Sequence, residues 1–179
     1  MRMKAPVFKG ERGATFVEVI IAISIMGIAL VPLTLSFSYT SSRSADSMIE
    51  VRVVELGQAY LEEILNKRFD ENSSPGGSPP CSASTTPCGT IGPEAGETRA
   101  TYDDVDDFAG IDDQPPVDSL GNARAGYDRF RVEVDVDYAS ASEVTEYGLD
   151  SATDLKRVLV TVHPPVGNPS EFEVYRGNF

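Results

Sequence analysis

Three groups of residues have types and spacings that can do chemistry. Glu18 is the only charged side chain between Gly13 and Arg43. Cys81 and Cys88 stand seven positions apart in a stretch rich in Pro, Gly and Ser. Asp103, Asp104, Asp106, Asp107, Asp112 and Asp113 put six carboxylates within eleven positions. A carboxylate in an apolar run pairs with a cation or takes up a proton, a cysteine pair forms a disulfide in an oxidising compartment, and clustered carboxylates suit Ca²⁺, a hard ion with oxygen ligands.

Glu18 requires the most explanation. A carboxylate inside a membrane costs on the order of 2.5–3.5 kcal/mol on insertion scales, so it needs a partner. Were the chain cut after Gly13, the new amino terminus at Ala14 would lie four residues before Glu18. The terminal ammonium of a neighbouring copy is then a natural partner, and neutralising both charges would favour packing one apolar helix against the next. The other reading is a Glu at the membrane edge that snorkels to the headgroups or is protonated.

The even cysteine pair suits a disulfide, because a metal site would need further soft ligands and the single histidine, His163, is distant. Closing so short a loop removes about 2.5 kcal/mol of unfolded-state entropy in the chain-entropy model. The other reading is two reduced thiols in a floppy loop. Of the aspartates, Asp103, Asp104, Asp106 and Asp107 are the calcium candidates, without EF-hand spacing: Phe108 falls where the third ligand belongs. The blander expectation is an acidic loop whose charges face water while Val105, Phe108 and Ile111 pack inward. No nucleophile-elbow motif accompanies His163, which continues an alternating strand into Pro164 and Pro165, so no catalytic site and no cofactor are expected. Tyr39, Met48 and Tyr60 could line a cofactor slot, but their helical spacing fits a core better. A sugar-binding adhesin would need exposed aromatics, and the chain has no Trp.

These residues need elements to position them. The 179-residue chain has room for one domain and an N-terminal extension. Its net charge is −13, but residues 1–13 carry Arg2, Lys4, Lys9 and Arg12 against Glu11, a balance of 4 − 1 = +3 that leaves −16 on the rest. So acidic a body repels phosphate backbones, which excludes nucleic-acid binding, while the basic start suits an anionic membrane face. Residues 14–33 are apolar over about the twenty positions a membrane helix needs. Segments are therefore expected at 1–13 (leader), 14–42 (membrane helix) and 43–179 (head). Ala45, Ile49, Val53, Leu56, Tyr60 and Ile64 continue an amphipathic helix, with a kink or local melting expected at Pro32 and the Ser-rich 36–47. Gly and Pro supply ten of the twenty-nine residues in 70–98, which predicts a surface loop that contacts neighbours or is unordered. Phe130, Val132, Val134, Val136 and Tyr138 alternate with charged residues, Val158, Val160 and Val162 alternate with Arg157, Leu159 and Thr161, and Phe172 to Tyr175 adds a third strand. The expected class is α+β: a long N-terminal helix on a small antiparallel sheet.

Glu11-Arg12-Gly13-Ala14-Thr15-Phe16-Val17-Glu18-Val19-Ile20 resembles the type IV prepilin signature. The resemblance implies cleavage after Gly13 by a prepilin peptidase, N-methylation of Ala14 and charge pairing through Glu18 during assembly. Ala14 departs from the Phe or Met usual there. Leu56-Gly57-Gln58-Ala59-Tyr60-Leu61, Phe69-Asp70-Glu71-Asn72, Gly92-Pro93-Glu94, Tyr102-Asp103-Asp104-Val105-Asp106-Asp107-Phe108 and Tyr175-Arg176-Gly177-Asn178-Phe179 are similar to stretches of minor pilins of the mannose-sensitive haemagglutinin (MSHA) type IV pilus. This similarity implies a pilin fold, an inner-membrane precursor with a periplasmic head, and later a place in a surface pilus used in attachment. Implied partners are major and minor pilins, prepilin peptidase, the inner-membrane assembly platform and membrane lipid. A minor pseudopilin of type II secretion shares the leader, Glu18 and fold, and is the alternative.

Overall fold

The computed structural model of the chain describes residues 13, 15–74, 78–82, 86–149 and 151–179, and of these only the backbone at 37–46 and 152. The leader residues Arg2, Lys4, Lys9, Glu11 and Arg12, together with Ala14, fall outside the described residues, as do the side chains of Tyr39 and Ala45. The chain divides into two compact units, Met1–Ser47 and Met48–Phe179.

Helix α1 (Phe16–Leu65) begins in the first unit. Its segment Phe16–Ser36 is long and apolar enough to cross a membrane. Its apolar side chains are exposed among the described residues: Phe16 is 80 % exposed, Ile28 76 % and Leu35 65 %. An apolar surface of this extent is costly to leave in water. The small hydroxyl residues inside it turn inward on the backbone, Ser24 donating to the Ile20 carbonyl at 2.8 Å and Thr34 to Val31 at 2.8 Å. Pro32 lies within the helix, and the helix continues through 36–47, where local melting was expected. Serine weakens a helix by offering the backbone other partners, and Ser24 and Thr34 show the compatible alternative, a bond to a carbonyl of the preceding turn.

In the second unit α1 becomes one-sided. Val53, Leu56, Tyr60 and Ile64 are buried and Ile49 packs beside them, while Glu55 and Glu62 stay exposed. The stripe meets a four-stranded antiparallel sheet in the order β1 (Ile111–Asp113), β2 (Arg131–Tyr138), β3 (Leu155–His163), β4 (Ser170–Gly177). Val134 opposes Val160, which opposes Phe172, so the valines of β2 and β3 fall on one face and form a single core with the helix stripe. Gly57 sets the closeness of that contact: a Cβ there would lie 2.5 Å from a ring carbon of Phe172.

The α+β class holds, with two additions. The sheet has four strands instead of three, because Ile111–Asp113 leaves the acidic run to pair with β2. A short helix, α2 (Ala141–Glu146), follows β2 and seats Val144 with Ala139 and Leu155 in a second small cluster. Ser140 caps it, its hydroxyl accepting from the Glu143 N–H while the Glu143 carboxylate takes the Ser140 N–H at 2.6 Å. Neither three residues nor six repeat a period often enough to be read.

Candidate functional site

Glu18 opens α1. Thr15 Oγ1 accepts the Glu18 N–H at 3.3 Å and Glu18 Oε2 accepts the Thr15 N–H at 3.4 Å. This is a reciprocal capping box: two backbone donors that a helix start leaves unpaired are satisfied by side chains. It also puts negative charge at the positive end of the helix dipole. The Thr15-x-x-Glu18 spacing carried this signal in the sequence, beside the pairing and snorkelling readings. Gly13 is exposed, with open space where a Cβ would sit, and Ala14, its partner in the expected cut and the expected methylation site, lies outside the described residues.

Cys81 and Cys88 are joined in a disulfide. No helix or strand forms among the described residues of 70–98, as the Gly and Pro content predicts, yet the loop is fastened. Asp70, fully buried, accepts the Asn72 N–H at 2.9 Å and the Gly89 N–H through both oxygens at 2.9 and 3.0 Å. Asn178 donates its amide to the Cys81 carbonyl at 2.9 Å and the Thr153 carbonyl at 3.2 Å, and accepts from the Ser73 hydroxyl at 3.3 Å. The bridged loop is thereby stitched to the residues beyond β4.

The acidic run departs most from expectation. Val105 and Phe108 are buried and Ile111 packs against the core, as anticipated. Asp104, Asp106 and Asp107 are buried with them instead of facing water. Each has a local reason. Asp104 Oδ1 accepts the N–H groups of Asp106 and Asp107 at 3.1 and 3.2 Å. Asp107 Oδ2 accepts those of Asp103 and Asp104 at 2.8 and 3.1 Å. Asp106 meets Lys156, whose buried ammonium also donates to the Phe69 carbonyl at 2.7 Å and lies 3.4 Å from Asp70. Lys156 occupies the inward phase of β3 with Val158, Val160 and Val162, and a lysine in that phase is the sequence signal of a buried acidic partner. Burial first, and Asp106 beside it second, push the Asp104 carboxyl up to about 8.

The four calcium candidates therefore do not meet at one point. Asp103 is taken by Arg68, which also binds Glu71 at 2.9 Å, and Asp106 is taken by Lys156. Asp104 lies with Asp103 and Glu71, whereas Asp107 lies with Glu94 and Glu97. Farther along, Asp112 forms a two-pronged bond with Arg131 at 2.5 and 2.7 Å, and Asp113 accepts the Tyr60 hydroxyl at 2.7 Å. Burial, then that bond, raises the Tyr60 phenol far above its ordinary range.

His163 ends β3 with Nε2 2.6 Å from Glu133 Oε2, both partly exposed. A cleft of about 320 Å³ in the head is lined by Ile49, Arg52, Asp128, Arg129, Phe130 and Pro165, and His163 is not in its wall. Tyr60 is core, as its helical spacing favoured, and Met48 is exposed. Comparison with protein-family models, with curated proteins and with solved structures gives no match.

Proposed function

We propose that the chain is a type IV pilin-like subunit, a minor pilin resembling MshD of the MSHA pilus, with a pilin fold, an inner-membrane helix and a periplasmic head. The observation that carries this reading is α1 itself. It opens on Glu18, presents only apolar and small uncharged residues through Ser36, and ends as the core-facing helix of an α+β head. The first part has an exposed surface suited to lipid before assembly and to the helices of neighbouring subunits afterwards. Glu18 keeps its capping bonds to Thr15 if the chain is cut after Gly13, because both residues remain. Its charge is then available to the ammonium of an adjacent subunit's Ala14.

The test is the intact mass and N-terminal sequence of the protein from membranes of cells with and without prepilin peptidase, in wild type and Gly13→Val. A methylated start at Ala14, absent from the peptidase-deficient and Gly13→Val samples, supports the reading. An uncut chain in every sample overturns it. Deleting the gene and scoring surface pili against secreted enzymes separates a pilus subunit from a type II pseudopilin.

A further inference from the structure

Among the carboxylates of the acidic run, Asp107 has an unfinished arrangement. Its Oδ2 receives two backbone N–H groups, but its Oδ1 is buried and receives no hydrogen bond, and the residue is only 1 % exposed. A buried carboxylate oxygen without a donor is costly, and each such atom in a folded protein calls for a partner. Oxygens of Glu94, Glu97 and Asp107 all lie within 4.8 Å of one another. Glu94 and Glu97 are held on one turn, Glu97 N–H donating to the Glu94 carbonyl at 3.1 Å and Glu94 N–H to Glu97 Oε2 at 3.1 Å.

Three nearby acids have their cations: Asp103 has Arg68, Asp106 has Lys156, and Glu63 has Arg99 at 3.2 Å, whereas Asp104, like Asp107, has a buried oxygen that receives no hydrogen bond. No ion pair to Glu94, Glu97 or Asp107 occurs among the described residues, which leaves three carboxylates, one of them buried, facing one another. Two oxygens bound to one ion at 2.3–2.6 Å are at most about 5 Å apart, so the observed spacing suits a shared Ca²⁺. Glu94 is exposed and Glu97 partly so, which leaves one side open for the waters that complete a shell of six to eight oxygens. An all-carboxylate set favours a hard ion over zinc or copper, and Mg²⁺ would demand a tighter octahedron.

We propose that Glu94, Glu97 and Asp107 form a calcium site that fastens the loop after the disulfide to the buried turn at 103–107. This proposal is independent of the pilin reading. The measurement is calorimetric titration of the chelator-treated full-length chain in detergent with CaCl₂ and separately with MgCl₂, with Tm recorded in each state. One Ca²⁺ per chain, a Tm raised by Ca²⁺ and weaker binding of Mg²⁺ are expected. Glu94→Gln with Glu97→Gln, on the open side of the site, should weaken Ca²⁺ at least tenfold while leaving the calcium-free Tm at or above that of wild type. Asp103→Asn, whose partner is Arg68, should leave the affinity within twofold. No Ca²⁺ binding at millimolar concentration, unchanged binding in the double variant, or equal affinity for Mg²⁺ would each overturn the assignment.

Discussion

Asn178 donates its side-chain amide to the carbonyl of Cys81 at 2.9 Å, across ninety-seven positions of sequence. The same side chain bonds Thr153 and Ser73, so it joins the disulfide loop to the approach to β3. Replacing it by Ala leaves several buried polar groups without partners, at about 1–3 kcal/mol each before relaxation or water entry. Asn178→Ala should lower head stability by about 2 kcal/mol in urea unfolding. Reduction of the disulfide should lower the stability of the variant less than that of the wild type, because the loop has already lost an anchor.

Lys156 makes a harsher test of burial. Lys156→Ala strands Asp70 and Asp106 without a buried cation, and losing one partner of such a pair costs roughly 3–5 kcal/mol. Lys156→Met combined with Asp106→Leu removes one cation and one carboxylate together, and should recover more than half of the loss. Urea midpoints with unchanged m-values would verify the pattern; equal losses for the single and double variants would refute the ion-pair account.

Gly57→Ala should destabilise the head by about 1–3 kcal/mol although alanine is the better helix former, because its methyl group meets the Phe172 ring. Phe172→Leu, which is shorter, should recover part of that in the double variant. A double-mutant cycle with no coupling between the two positions would show that the close approach is relieved elsewhere.

Glu143 gives a pH signature. Its hydrogen bonds from the Ser140 hydroxyl first, and the Tyr175 hydroxyl next, pull its carboxyl down to about 2 from an ordinary 4.5. The folded value lies below the unfolded one, so its stabilisation is present above pH 4.5 and is lost as pH falls toward 2. Glu143→Gln should flatten the fall of Tm across that window and leave the slope above pH 6 unchanged.

At Glu18 two substitutions separate two roles. Glu18→Gln keeps an oxygen able to accept the Thr15 N–H but carries no charge, whereas Glu18→Ala loses both. If the cap dominates, Gln should be incorporated into sheared filaments nearly as well as wild type, since losing a cap costs about 0.5–2 kcal/mol. The proposed charge pairing expects Gln to fail as Ala does. Immunoblots of filament fractions distinguish the outcomes.

How much was legible depends on the range of each interaction. The stripe Val53, Leu56, Tyr60, Ile64 and the alternation through Val132, Val134 and Val136 could be read because a half-buried element repeats its period within a few residues. Both capping boxes, at Thr15–Glu18 and Ser140–Glu143, were written locally as well, although only a short helix follows the second. The fates of the aspartates were not. Lys156 lies 50 positions from Asp106 and 86 from Asp70, and no local pattern names a partner that far away. An inward lysine announces that some carboxylate must come, without saying which.

Among the described residues the outer strand β4 pairs only with β3, so its other row of backbone donors and acceptors faces no strand of the sheet. A row like that invites any extended segment of another molecule, and long runs of such pairing lead to fibrous aggregates. Along it, Glu171 and Glu173 are exposed and Arg176 follows, placing ionised groups where an incoming strand would lie. Charged side chains along β4 thus discourage indiscriminate strand-to-strand pairing at this edge, so the sheet is guarded against the fibrous association its backbone would otherwise template.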